Sequence, residues 1–243
     1  MPDNNYKRIL IKFSGEVLAG EKLSGIDPKM VDQVAEEIFS LQKYKKEIAL
    51  VFGGGNIFRG LSASEKDNTD RVTGDYMGML ATVINALAVQ ESLSRKGVKA
   101  RVMSAIHMPE IAEPMIIRNA DKFLHDGEIV IFSAGTGRPF FSTDTGAALR
   151  AAEIKADLLI KGTKVDGVYD KDPIRYPDAI FYPTLDYQTC IEKQLKVMDT
   201  TAFSLCQNNN IPIVICNMTV AGNIEKVIAG KNIGTLIVGG NNG

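Results

Sequence analysis

The sequence contains no tryptophan, only two histidines and three cysteines, and its 28 basic and 29 acidic side chains leave a formal net charge of -1. Each shortage excludes a class of chemistry. Cys190, Cys206 and Cys216 are odd in number and lack any CxxC spacing, so three buried or partly buried free thiols are expected rather than a disulfide framework or a zinc site. His107 and His125 share no ligand spacing and have no serine or cysteine nucleophile beside them, so both are read as non-catalytic. Near-neutral charge and a pI near 6.2 argue against an extended nucleic-acid surface while allowing a local basic pocket for a small anion. No apolar run approaches the roughly 20 residues that span a bilayer, and residues 1–8 lack the apolar core of a secretory signal. The expectation is a cytoplasmic protein without a membrane partner.

What is present is an ordinary globular composition, 45% hydrophobic and 23% charged, with no internal repeat. Short aliphatic runs at 9–11, 48–52, 100–103, 128–132, 158–160, 212–216 and 235–238 read as strands. Helical spacing follows Asp27-Pro28 and recurs at 76–89, 111–124, 147–154, from Asp199 to 207, and at 224–228. This alternation predicts an α/β fold, a three-layer α/β/α sandwich around a largely parallel sheet. The 76–89 segment is apolar nearly all the way round, so either it is central to a large core or, the preferred reading, its outer face meets another subunit. The polar stretch at 61–73 reads as a lid.

Chemistry concentrates where strands stop. Lys12-Phe13-Ser14-Gly15 puts a lysine and a flexible turn at a strand's carboxyl end, where open α/β sheets bind ligands. The run Gly53-Gly54-Gly55-Asn56-Ile57-Phe58-Arg59-Gly60 is neither a Walker A motif nor a dinucleotide fingerprint; it is another kind of phosphate loop or a tight turn. Arg59 is suited to fork onto phosphate oxygens. Asp75 is either a helix cap or an acceptor for a ligand's sugar hydroxyls. From Phe132 the chain passes through Gly135-Thr136-Gly137-Arg138-Pro139-Phe140-Phe141-Ser142-Thr143-Asp144-Thr145, a glycine turn followed by hydroxyls at a helix start, as a phosphate cradle or an ordinary capped turn would need. Residues 161–173 add Lys161, Thr163, Lys164, Asp166, Tyr169, Asp170 and Asp172 after another strand, without calcium-loop spacing.

In this order and spacing the loops resemble the amino acid kinase superfamily, and within it the bacterial uridylate kinases. Residues 74–82, 136–144 and 164–169 look like signatures of that branch, and the likeness covers essentially the whole chain. The resemblance implies one amino acid kinase domain over 1–243, with an acceptor-binding N-terminal part and an ATP-binding C-terminal part. It implies Mg-dependent transfer of the ATP γ-phosphate to UMP, giving UDP and ADP in pyrimidine nucleotide biosynthesis. By the same resemblance, Lys12, Phe13, Ser14, Gly15, Gly55, Arg59, Thr163, Tyr169 and Asp172 would bind ATP. UMP would be held by Gly54, Asp75, Thr136, Gly137, Arg138, Pro139, Phe140, Phe141, Ser142 and Thr143. Lys12, Arg59, Asp144, Lys164 and Asp199 would form the reaction centre, with Mg2+ held mainly by the ATP phosphates. Arg138 stands where the family commonly has Asn, which leaves its side chain's part in base recognition open. The resemblance further implies a homohexamer with UTP as inhibitor and GTP as effector. Residues 20–25 match the segment linked to the GTP response, whereas the basic residues expected later are replaced by Gln90, Ser94 and Glu128. Two rivals share these loops: a carboxylate kinase acting on glutamate or acetylglutamate, and a non-catalytic nucleotide sensor.

Overall fold

The computed structural model describes residues 6–58, 70–195 and 197–239; Arg59 and the 61–69 part of the expected lid lie outside them. Strand β1 (Arg8–Phe13) carries Ile9, Leu10 and Ile11 with no exposed surface, and all six residues of β2 (Glu47–Phe52) are buried. Continuous apolar runs of this kind, rather than alternation, are what a parallel strand covered on both faces requires. With β3 (Ala100–Ser104), β4 (Glu113–Pro114), β5 (Ile129–Ser133), β6 (Leu158–Thr163), β9 (Thr184–Asp186), β10 (Ile213–Asn217) and β11 (Thr235–Val238) they form a nine-stranded sheet. Its order is β4-β3-β5-β2-β1-β6-β10-β11-β9, parallel except between β10 and β11. A separate antiparallel hairpin joins β7 (Val168–Tyr169) to β8 (Phe181–Tyr182).

Alternate residues of β1 point to opposite layers. Ile9, Ile11 and Phe13 pack with α1 (Pro28–Ser40), α2 (Arg71–Arg95) and α7 (Asn223–Ile228). Leu10 packs with α3 (Ile117–His125), α4 (Thr143–Glu153), α5 (Tyr187–Glu192) and α6 (Thr200–Asn208). The chain leaves β1 for β2 on one side and later returns to place β6 on the other. Loops therefore diverge at the carboxyl ends of these three strands, the position at which such sheets hold ligands.

Three sequence expectations change. The helix expected over 111–124 starts at Ile117, because Glu113 and Pro114 pair with Met103 and Ser104 as a short edge strand, where proline's missing N–H is tolerated. Between the strands expected at 158–160 and 212–216 the chain also forms β9 and α5, the latter capped by the Asp186 carboxylate. Helix α2 begins at Arg71, with Asp70 accepting from the Thr73 amide at 3.0 Å, so the end of the expected lid is helical and Asp75 is not the cap. By length and composition this 25-residue helix could also cross a bilayer, contrary to the reading of apolar runs alone. Its inner face instead packs in the fold through Met79, Val83, Ala86 and Val89, while Tyr76, Met77, Leu80 and Ile84 are exposed.

Candidate active site

Lys12 of β1 and Lys161 of β6 are register partners on adjacent parallel strands, so their side chains leave the same sheet face. That face is covered by α4, whose first turn carries Asp144. Lys12 Nζ lies 2.8 Å from Asp144 Oδ1, and Lys161 Nζ pairs with Oδ2 of the same carboxylate. Lys161 also donates to the Val197 carbonyl. Burial alone would raise the Asp144 carboxyl, but the two ammonium groups outweigh it and hold it below the usual carboxylate range. Burial pushes the Lys161 ammonium down, with Lys12 adding to that shift and Asp144 opposing it. Asp199 also acts on Lys161 from nearby, so the centre holds two ammonium groups that face the ends of the central strands with Asp144 between them, an arrangement suited to phosphate.

Asp199 locks the neighbouring helix starts together. It accepts from the Ser142 hydroxyl, from Thr145 Oγ1 at 2.8 Å and from the Ala202 amide at 2.9 Å, capping α6 while tying it to α4. Ser142 in turn caps α4 through the Thr145 amide at 3.1 Å.

Beside this centre the glycine run after β2 is fastened to α2 by a buried amide pair. Asn85 Nδ2 donates to the Gly53 carbonyl and to Asn56 Oδ1, both at 2.7 Å; Asn56 Nδ2 returns a bond to Asn85 Oδ1 at 3.0 Å and reaches the Gly25 carbonyl at 2.9 Å. A Cβ on Gly15 would stand 2.4 Å from both Asn56 Oδ1 and the Gly53 carbonyl oxygen, so close approach of the first two loops requires glycine there.

The turn between β5 and α4 is set by backbone. Ala134, Gly135, Gly137 and Phe140 all have positive φ, at 59°, 55°, 74° and 73°. The Ala134 amide donates to Thr82 Oγ1 at 2.8 Å, Arg150 Nη2 donates to the Gly135 carbonyl at 3.3 Å, and the Phe140 amide donates to Asp75 Oδ2 at 2.7 Å. Asp75 Oδ2 also accepts from Arg71 Nε at 2.8 Å. Between this turn, α2 and the glycine run lies a cavity of about 400 Å³.

Among the residues the sequence singled out, Gly54, Gly55, Asp75, Thr136, Phe140, Phe141, Ser142, Thr143 and Asp199 line this cavity. Gly137, Arg138 and Pro139 do not; the Arg138 side chain is exposed and its amide bonds to Thr136 Oγ1 at 3.2 Å. Phe13 stacks on Phe52 in the core with centroids 4.9 Å apart, leaving its backbone for any ligand. On the other side of the charged centre, Thr163 bonds to the Val165 and Cys216 carbonyls, Tyr169 packs edge-on against Phe181, and Asp172 accepts from the Ile174 amide. Ser14 accepts from the Glu16 amide at 3.4 Å as the chain turns after β1. Lys164, expected at the reaction centre, is 63% exposed and pairs with Glu16 at 2.6 Å; Lys161 is the lysine that meets Asp144. Sequence reading also passed over Arg71, Thr82, Asn85 and Arg150. Among the described residues no group of three His, Cys, Asp or Glu is placed to hold a metal ion.

The model of the amino acid kinase family matches residues 7–217. The fold is similar to the UMP kinase of Bacillus anthracis, at 37% identity and TM-score 0.92 over 96% of each chain. It is also similar to the UMP kinase of Ureaplasma parvum, at 39% identity and TM-score 0.89 over 96% of this chain and 99% of that one. The uridylate kinase of Archaeoglobus fulgidus matches at 26% identity and TM-score 0.75, over 95% of this chain and 99% of that one. With its matched strands, glycine turns and charged centre lying in one continuous span, this chain belongs to the amino acid kinase family.

Proposed function

We propose that the protein is a UMP kinase, transferring the γ-phosphoryl group of ATP to a phosphate oxygen of UMP. The observation that carries this reading is the Lys12–Asp144–Lys161 cluster, which adjoins a cavity of about 400 Å³ walled by hydroxyls, aromatic rings and the Arg71, Asp75 and Asp199 side chains, large enough for a nucleoside monophosphate. The nucleophile is already an anion near neutral pH, so no general base is needed. The task is to bring two polyanions together: unit charges 4 Å apart repel by about 4 kcal/mol at an effective dielectric of 20. Lys12 and Lys161 offset that repulsion, and Asp144 fixes where their ammonium groups stand. Arg59 is assigned to the nucleotide phosphates by family resemblance.

The acceptor occupies the N-terminal part of a single domain, with Gly54 and the 136–143 turn around UMP and Asp75 on its ribose, while Gly55, at the wall of the same cavity, faces the ATP phosphates. Gly137, Arg138 and Pro139 contribute through loop shape and backbone. ATP takes the other side, with its phosphates over Ser14 and Gly15 and its nucleoside toward Thr163, Tyr169 and Asp172. Lys164 stands with Glu16 at that rim. Magnesium fits such a site through the ATP phosphates and water, since Asp144 is engaged by two lysines and Asp199 by hydroxyls. It supplies further neutralisation of the transferring phosphates.

The exposed apolar stripe of Tyr76, Met77, Leu80 and Ile84 supports a homo-oligomer, with a hexamer as the form the family suggests. A cytoplasmic location and UTP inhibition belong to the same reading. The Gly25 amide donates to the Asn56 carbonyl at 2.7 Å, which supports a route from the 20–25 segment to the glycine run for a GTP effector.

A coupled assay offering UMP, CMP, glutamate and acetylglutamate with Mg-ATP tests the assignment. ADP release with UMP alone is the expected result. Release with a carboxylate acceptor instead would make the protein a carboxylate kinase, and release with none would favour a sensor.

A further inference from the structure

We infer that Arg71 is the positioning residue of the acceptor cavity, holding Asp75 and the Phe140 corner in one arrangement that presents a single carboxylate oxygen to the acceptor's ribose. The inference rests on the acceptor reading above and names the residue that makes Asp75 competent for it.

Arg71 opens α2 and its side chain lines the cavity. Its Nε donates to Asp75 Oδ2 at 2.8 Å, and the same oxygen accepts the Phe140 amide at 2.7 Å. The guanidinium carbon stands 5.6 Å from the Phe140 ring centroid, within reach of the ring's negative face. One planar cation therefore touches both partners of the hydrogen bond that ties the turn to α2. Phe140 needs that support, because its φ of 73° is a conformation that a bulky side chain disfavours, and the residue is 66% exposed with little packing of its own.

The arrangement divides Asp75 into two oxygens with different roles. Oδ2 is filled twice over, whereas Oδ1 has no partner among the described residues. An oriented acceptor oxygen can take hydrogen bonds from a vicinal diol, which a ribonucleotide has and a 2′-deoxyribonucleotide lacks. The positive charge on Arg71 also keeps an unpaired carboxylate from facing an incoming phosphate monoester. Lysine at 71 would preserve the charge but not the planar face that covers Phe140, so the two substitutions separate these contributions.

The test uses the full chain with Arg71→Ala and Arg71→Lys. Arg71→Ala should raise the KM for UMP at least tenfold, change kcat less than threefold, and leave the KM for ATP unchanged. The kcat/KM preference for UMP over dUMP should shrink toward unity. Arg71→Lys should recover part of the UMP affinity. In the ligand-free protein, amide hydrogen exchange at Phe140 should accelerate at least tenfold in Arg71→Ala, a readout that does not depend on the substrate. Unchanged exchange in that variant would overturn the positioning role, as would a fall in kcat with an unaltered KM for UMP. If wild-type protein does not turn over UMP while the exchange effect is present, the ribose assignment is overturned and the clamp on the turn stands. Should Arg71→Ala fail to fold, Asp75→Asn breaks the same ion pair from its other end, and unchanged Phe140 exchange there would equally overturn the role.

Discussion

At the carboxyl ends of β1 and β6, position is set by side-chain charge: Lys12, Lys161 and Asp144 are only 10% to 17% exposed, and each stands on a regular element. At the β5–α4 turn, position is set by backbone, with four left-handed residues held by a few hydrogen bonds and with Phe140 and Phe141 open to solvent. The difference follows from what each region has to do. Charges that stabilise a transferring phosphoryl group act best when they need not reorganise. A turn that admits and releases an acceptor must instead open at low free-energy cost, which few packing contacts and exposed hydrogen bonds permit.

The largest way to break this contrast is to remove the shared anion. Asp144→Asn leaves two buried ammonium groups side by side, and losing one member of a buried ion pair costs about 3 to 5 kcal/mol. For a chain of this size that is a fall in Tm of roughly 6 to 20 °C. The Asp144 carboxyl is depressed in the folded state, so its contribution is fully present above the ordinary carboxylate value of about 3.9 and is lost as pH falls through its lower folded value. The difference in Tm between wild type and variant should therefore narrow in acid, and a difference that widens would contradict the assignment.

Asn85→Ala strikes the scaffold between the two regions. It leaves the Gly53 carbonyl and the Asn56 amide group without their buried partner, at about 2 kcal/mol or a Tm lower by roughly 4 to 8 °C. Adding Asn56→Ala should cost less than the sum of the single changes, since the first has already removed their shared bonds. Additive losses would show that the pair does not act as a unit.

The smallest effect is expected at the thiols. Burial pushes Cys190, Cys206 and Cys216 up to about 12 each, with Asp186 adding to the first and Glu37 to the third. A disulfide-exchange reagent at pH 8 should label none of them in the folded protein and all three after unfolding, with turnover unchanged. Fast labelling of the native state with loss of activity would place a thiol in the site.

Much of the fold was legible because β1, β2, β5 and β6 are continuous apolar runs that stop at lysine, glycine or serine. Local pattern names such elements without knowing their neighbours. Lys161 stands in the sequence only as one polar residue among several after a strand, because it lies within the strand beyond the expected end at Ile160, and the register that sets it opposite Lys12 is what reveals its part. Lys164, three residues later in a polar loop, drew the assignment because it opens the 164–169 stretch that resembles the family's signature. Arg71 was hidden because its polar surroundings read as a lid, whereas the Asp70 cap makes it the first residue of α2. The Asn56–Asn85 pair joins residues 29 apart in sequence, and nothing local distinguishes it from two solvated amides.

The division between a charged donor centre and a backbone-built acceptor turn is tested most directly by Lys12→Ala, with UMP affinity by calorimetry and saturated turnover measured on the same preparation. The account predicts UMP affinity within about threefold of wild type. Turnover should fall by roughly a thousandfold, the kinetic equivalent of about 4 kcal/mol. A large loss of UMP affinity with normal saturated turnover would contradict it.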